Sequence, residues 1–552
     1  MIQIKKNALK KDKKLLILIF IFFFTIYFNT SGGHVDPYDG IYTFLITENF
    51  VLNGTPALTK DLPSAELLGA DMEQHLRFMV WNMAYKTYFE TFPVGSDENP
   101  IGTPTPHRDK WIESFMINGT KGEFYGPTYL VLPTIAVPLY VLSSWLNISE
   151  INFVPLLLNP IIIATSCLVI FLLGKEIFKS EKTGFVLSVL FGLTSFIWPY
   201  ITSMYARPLA ILFIILSIYF ILKYRRKNSK FFSIFAGLCI GFSILTHPLV
   251  LILTPGLLVF GFWELRKNMK KLLLLIIGFL MVISIQFYIN DFRFGSIFAF
   301  GFGGADDVSG RASNLASAIF DVGDIFSSGF FGYLFSPGLS IFIYLPVFVL
   351  TPIGLYYLFK QDKSLAILLF YLIGISFGMM SLSDNWYINT HWGPHRYLLP
   401  IIPGVILAIG SLVSEFGNTF RLKIGLSLLA ISGFIVNLLG NLVWIQYAFA
   451  HGWGPGGLWK VQDKDAVFAF NPLFSQPIQI IKVLAVDWVG QMKVNPESMD
   501  YTKIGLHGCS IDFFIYCNFG IITTIIIILI TIVSLFFIIK KLISQKSDKI
   551  RV

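Results

Sequence analysis

Residues 207–246 read RPLAILFIILSIYFILKYRRKNSKFFSIFAGLCIGFSILT. Two apolar runs, 207–222 and 231–246, flank a short link carrying Lys223, Arg225, Arg226, Lys227 and Lys230. Each run is about the length that carries a helix across ~30 Å of hydrocarbon, and a basic link between two such helices marks the cytoplasmic side. The same pattern extends in both directions. Runs at 128–146, 153–173 and 184–199 precede it; runs at 248–263, 272–289, 338–359, 364–383, 398–416, 424–446 and 519–539 follow.

Leu15–Phe28 is a further run, preceded by Lys5, Lys6, Lys10, Lys11, Lys13 and Lys14. It has the layout of a signal peptide, with small residues after it at Thr30-Ser31-Gly32-Gly33. The bulk of Leu16–Phe28 and the poor cleavage motif favour a retained helix. Composition agrees with a membrane protein: 55% of the 552 residues are hydrophobic and only 14% charged, where a soluble domain carries nearer a quarter. The net charge of +9 sits in short clusters between apolar runs, which argues for topology and against nucleic-acid binding.

Orientation follows from alternate links. Lys175, Lys179 and Lys182 form one basic connection, and Arg266, Lys267, Lys270 and Lys271 another. Lys360 with Lys363, Arg421 with Lys423, and Lys540 with Lys541 continue the series. These predict cytoplasmic loops. The amino-terminal lysines and the later loops both place the outer side around residues 30 and 152. The run 128–146, interrupted by Pro133 and Pro138, is therefore expected to re-enter or lie along the surface, unless another part of 30–127 also crosses. The fold class expected is an all-α polytopic membrane protein with about 12 transmembrane helices plus re-entrant or juxtamembrane helices and large outer loops. Its parts are 1–29 (tail and first helix), 30–127 (outer first loop), 128–446 (multi-helix membrane domain), 447–518 (outer loop) and 519–552 (last helix and tail). The expected location is the plasma membrane, multi-pass, with both termini cytoplasmic.

Outward-facing chemistry is expected in 30–127, 290–337 and 447–518. The first holds Asp36, Asp39, Glu48, Asp61, Glu66, Asp71 and Glu73, and an amphipathic stretch with Leu76, Met79, Val80, Met83 and Ala84 on one face. The apolar runs carry few ionisable groups. Asn159, Gln286, Asn437 and Asn441 are neutral, and Arg207 and His247 fall at helix ends. Ion-coupled carriers usually place charge at depth, so this pattern points to chemistry at the outer surface. Cys509 and Cys517 lie in or beside the last outer segment, where a disulfide is expected; Cys167 and Cys239 lie within apolar runs as packing groups. No Cys or His spacing fits a metal site, and no cofactor is called for, although a divalent metal is compatible with the expected chemistry. The sequons at Asn29, Asn53, Asn118 and Asn147 carry little weight. Gly452, Gly454, Gly456 and Gly457 read as a turn-rich loop, and Thr246-His247-Pro248 as a hairpin.

Four weak motifs occur in order along the chain. They are Asp39-Gly40-Ile41-Tyr42 with Glu48-Asn49-Phe50 and Gly54; Tyr125-Gly126-Pro127 with Leu132-Pro133 and Pro138; Phe335-Ser336-Pro337-Gly338 with Tyr344-Leu345-Pro346; and Trp392-Gly393-Pro394-His395-Arg396-Tyr397 with Pro400 and Pro403. Together they resemble the GT-C superfamily of membrane glycosyltransferases, most nearly its poorly characterised prokaryotic members. The resemblance implies transfer of a sugar from a polyprenyl-phosphate donor at the outer face to a glycan, lipid or protein acceptor. Where many relatives carry an Asp-Glu pair, Gly40 follows Asp39 here and Asp36 precedes it, so the acid that serves is open between Asp39 and Asp36.

Such a transfer needs a base near the anomeric carbon, which an outer-loop carboxylate supplies. It also needs a cation on the departing phosphate. Arg396 is the candidate, with His395 and Arg207 as helpers. Tyr42, Trp392 and Tyr397 join them as candidate substrate contacts, with Trp386 and Tyr387 as further ring faces for a sugar. Each has a plainer use: Asp39 as a helix cap, Arg396 as an interfacial anchor, the aromatics as a membrane-interface belt. The competing functions are a transporter or flippase for a lipid-linked glycan, and a membrane scaffold without activity.

Overall fold

The computed structural model describes residues 2–35, 39–57, 62–64, 117–118, 124–125, 129–202, 204–227, 229–298, 328–382, 391–444, 472–485 and 509–550. These are helical throughout except for loops and one short antiparallel pair, Ile117–Asn118 against Phe124–Tyr125. Among the described residues seven helices are long and apolar enough to cross a membrane: Lys13–Thr30, Glu150–Phe178, Arg207–Arg225, Met269–Phe294, Lys363–Ser381, Phe420–Leu442 and Phe514–Ser544. Val131–Leu146, Lys230–Thr246 and Ile401–Phe416 are shorter apolar helices. The chain is an all-α membrane protein.

Fewer long helices are seen than the apolar runs suggest because several runs break. The run 338–359 divides into Ile341–Tyr344, a 3-10 turn at Pro346–Leu350 and Thr351–Gln361. The run 184–199 ends as helix at Leu193, and 248–263 begins with a 3-10 turn before Thr254–Leu265. Prolines stand at or near the first position of these segments, where a missing N–H costs nothing. Apolar composition alone does not register such breaks.

Packing is tightest where small residues let backbones approach. Helices Lys230–Thr246 and Met269–Phe294 cross with Gly237 against the Leu275 carbonyl and Gly278 against the Ile234 carbonyl, so a Cβ at either would meet backbone. Long helices leave large apolar side chains outward: Leu428, Ile431 and Ile435 on one, Ile522, Ile526 and Leu529 on another. In water such stripes are costly, whereas in hydrocarbon they are the expected outer surface.

A buried helix lies inside the segment expected to be an outer loop. Asp39–Asn53 is covered over most of its length and packs on Val131–Leu146. Its polar residues bond within the fold: Thr47 donates to the Thr43 carbonyl at 2.7 Å, and the Glu48 carboxylate accepts from Ser64 Oγ at 2.8 Å and Tyr140 Oη at 3.0 Å. Thr43, Thr47, Glu48 and Asn49 interrupt the hydrophobicity, so the stretch does not stand out as an apolar run. The amphipathic stretch 76–84, Asp36, Trp386, Tyr387 and the glycines at 452–457 lie outside the described residues.

The first and last long helices lie side by side. At one end His34 Nε2 and Asp512 Oδ2 meet at 2.9 Å in the interior, and the Phe514 amide donates to the Ser31 carbonyl at 3.0 Å. Cys509 and Cys517 are bonded there, with their Cα atoms 5.9 Å apart. Cys167 and Cys239 are free and buried.

Candidate functional site

Asp39 is the first residue of its helix, where the exposed N–H groups favour a negative side chain. Thr43 Oγ1 donates back to the Asp39 carbonyl at 2.7 Å, and the Glu48 contacts fix the helix further along. Arg207 is likewise a first residue, opening Arg207–Lys227, and its guanidinium is buried. Arg396 begins a short 3-10 turn, Arg396–Leu398, after the loop 391–395. Gln476 holds that loop from the outside: its Oε1 accepts from the Gly393 amide at 2.8 Å and its Nε2 donates to the His391 carbonyl at 3.3 Å. Gly393 has φ +89°, a left-handed turn that suits glycine, and it sends the chain back toward Arg396.

These three charged groups converge. Arg396 Nη1 is 3.2 Å from Asp39 Oδ2, and Arg207 Nη1 is 3.6 Å from the same oxygen. Asp39 keeps 30% of its side chain exposed and Arg396 21%, so the cluster opens to the surface on that side. Two tyrosine rings brace the guanidinia: Tyr397 lies 4.5 Å from Arg207, and Tyr205 lies 5.3 Å from Arg396. Among the described residues the buried Nε–H of Arg207 has no hydrogen-bond partner, and neither has the buried hydroxyl of Tyr42.

Three histidines surround the pair and stay neutral. His247 lies edge-on to Tyr129 and Tyr397, and His395 lies 4.6 Å from Tyr397. Burial first, then the Arg207 and Arg396 charges, push both well below the ordinary imidazole range. His391, packed against Tyr200 at 4.1 Å, is pushed down to about 3 by burial and by Arg396. Burial alone would lower the Arg396 guanidinium; Asp39, then Tyr397, Tyr205 and Tyr200, outweigh it and raise it. Among the described residues two fixed cations meet one carboxylate here, an excess of positive charge suited to an anion.

The opposite end of the Arg207–Lys227 helix is different. By helical rise Arg207 and Arg225 lie about 27 Å apart, close to one hydrocarbon thickness. Arg225 donates to Ser364 Oγ at 2.8 Å and Asp362 Oδ1 at 3.2 Å, and also pairs with Glu264. Nearby Lys223 pairs with Glu176 at 2.9 Å and Lys175 with Glu181 at 2.6 Å. Lys175, Lys223 and Arg225 at that end are thus closed into ion pairs.

Among the candidates from the sequence, Asp39, Arg207, Arg396, His395 and Tyr397 come together, with Tyr42 one turn along the same helix as Asp39. Trp392 is fully buried, edge-on to Tyr344 at 5.5 Å and filling the space above Gly440. His247, read from the sequence as part of a hairpin, and Tyr129, Tyr205 and His391 were missed. The signal at hand was His391 directly before the Trp392 motif and Tyr205 two residues before Arg207. Among the described residues no cluster of three or more His, Cys, Asp and Glu side chains is placed to hold a metal ion.

No family model matches the chain, and no curated protein does. Similar solved structures include the Archaeoglobus fulgidus oligosaccharyltransferase AglB in complex with an inhibitory peptide and a dolichol-phosphate. It shares 13% identity at TM-score 0.36, over 75% of this chain and 57% of that one. An Archaeoglobus fulgidus oligosaccharyltransferase in the apo form shares 12% identity at TM-score 0.36, over 85% of this chain and 59% of that one. The present chain thus spans under three-fifths of the length of these structures.

Proposed function

We propose that this protein is a glycosyltransferase that moves a sugar from a polyprenyl-phosphate donor to an acceptor at the outer membrane face. The observation that carries it is the convergence of Arg207 and Arg396 on Asp39, with a buried Arg207 N–H that has no acceptor among the described residues.

Charge arithmetic supports the assignment. A lipid phosphate esterified to a sugar is a monoanion; once the sugar leaves, the lipid phosphate carries up to two negative charges. Two fixed guanidinia match the charge that develops and so favour the transition state over the bound donor. In the transfer, the acceptor oxygen bonds the anomeric carbon while the bond from that carbon to the phosphate oxygen breaks, its electron pair staying with the phosphate. Asp39 takes the acceptor's hydroxyl proton. Tyr42, Tyr397 and His395 line the space around these groups, and the Asp36 carboxylate is the alternative base.

The site lies about one membrane thickness from the basic end of the Arg207–Lys227 helix. If that end is cytoplasmic, as its lysines and arginines favour, the site is outer, where a lipid-linked donor presents its headgroup. The shorter helices Lys230–Thr246 and Ile401–Phe416 and the three broken runs then complete about 12 crossings, with Val131–Leu146 lying on the outer side and both termini cytoplasmic in a plasma membrane. A transporter for a lipid-linked glycan has no comparable need for a carboxylate between two arginines at one face.

Incubating the purified protein with a panel of lipid-phosphate sugars tests the proposal. Release of lipid phosphate from at least one, dependent on an added acceptor, is the expected result. Vesicle-to-vesicle movement of intact lipid-linked glycan without bond cleavage would favour the transporter.

A further inference from the structure

We infer that the Asp39 carboxylate is an intramolecular competitor of the donor phosphate, so that donor binding itself frees the base. The inference rests on the function proposed above and adds an order of events to it.

Both arginines point at one oxygen, Asp39 Oδ2, at 3.2 and 3.6 Å. A phosphoryl oxygen bonded to the same two Nη groups would take up that same position, and two anions do not share it. While Oδ2 lies against the two guanidinia, the carboxylate occupies the place the phosphate would take. The phosphate is the better partner for the arginines. It offers several oxygens, so it can meet both Nη groups at once where the carboxylate brings a single oxygen. Asp39 stands at the first position of its helix with 30% of its side chain exposed.

The proton step is then ordered. The phosphate takes the guanidinia and the carboxylate swings off. The released carboxylate accepts the acceptor's hydroxyl proton as the new glycosidic bond forms and the carbon–phosphate-oxygen bond breaks. After the lipid phosphate departs, Asp39 loses the proton to water and returns to the arginines. A base held in check until the donor arrives would also keep the site from activating water against nothing.

The test is binding of farnesyl phosphate to the full-length protein in nanodiscs, by calorimetry, for wild type, Asp39→Asn, Asp39→Ala and Arg207→Gln. Removing the competing charge should tighten binding about tenfold in both Asp39 variants, while Arg207→Gln should weaken it by a similar factor. Unchanged or weaker binding in both Asp39 variants, each with wild-type melting temperature, overturns the inference, as does no binding by any of the four proteins. Turnover separates the two readings. Tighter binding with normal turnover keeps the competition and removes Asp39 as base; unchanged binding with lost turnover does the reverse.

Discussion

Asp39 Oδ2 and Arg396 Nη1 meet at 3.2 Å, joining the start of a buried helix near the amino terminus to a loop that follows the membrane helix Lys363–Ser381. Their meeting, with Arg207 on the same oxygen, brings an acid-rich segment and a histidine-arginine motif into one charged cluster.

If Arg396 grips the departing phosphate, Arg396→Lys should lower kcat/KM on the order of 10²-fold. Lysine keeps the charge and loses the planar pair of donors, and a transition-state donor of this kind is worth about that much. Steady-state rates with the active donor give the answer. Wild-type rates from the lysine variant would reduce Arg396 to a membrane-interface anchor.

The buried histidines make stability depend on pH. In the native state His247 and His395 are held neutral well below the ordinary value, whereas in the unfolded chain they protonate near 6.5. As pH falls from about 6.5 toward the lowered native values, the unfolded state binds more protons and stability is lost. The melting temperature of the solubilised protein should therefore drop between pH 7 and pH 5. His247→Gln should shallow that slope; an identical slope would mean that His247 protonates freely in the fold.

The Cys509–Cys517 bond closes a short loop beside the His34–Asp512 contact. Replacing both cysteines by serine should cost about 2–3 kcal/mol by the chain-entropy account and lower the melting temperature by a few degrees. Mass spectrometry without reduction checks the bond, and a thermal scan checks the loss. A free thiol at both positions in protein from an oxidising compartment would contradict the pairing.

Single cysteines introduced at Lys267 and Asn147 report orientation. Impermeant reagent applied to intact cells should label Asn147→Cys and miss Lys267→Cys. The opposite result would turn the site toward the cytoplasm.

Much of the membrane architecture was legible because apolar length and basic links are one-dimensional signals. The Arg207–Lys227, Met269–Phe294 and Phe514–Ile550 helices follow their runs closely. A helix beginning near Ile41, with Asp39 as its cap, was legible; its burial was not, since Thr43, Thr47, Glu48 and Asn49 look surface-bound until Ser64 and Tyr140 supply partners for the carboxylate. In the site, permanent charge was legible: Asp39, Arg207 and Arg396 are costly to bury and so stand out. His247, Tyr129 and Tyr205 were not, because an aromatic or histidine near a helix end is ordinary until the fold shows what it faces. The packing of Trp392 above Gly440 was not legible either, because a motif does not say what a ring packs on.

The most direct test of the account is the rate of lipid-phosphate release by Asp39→Asn against wild type, with the donor found active and at saturating acceptor. Asparagine keeps the size of the side chain and removes its basicity, so the rate should fall on the order of 10²–10⁴-fold with the fold intact. Near-normal release by Asp39→Asn would contradict Asp39 as base, and if Asp36→Asn were also active it would contradict carboxylate-assisted transfer at this site altogether.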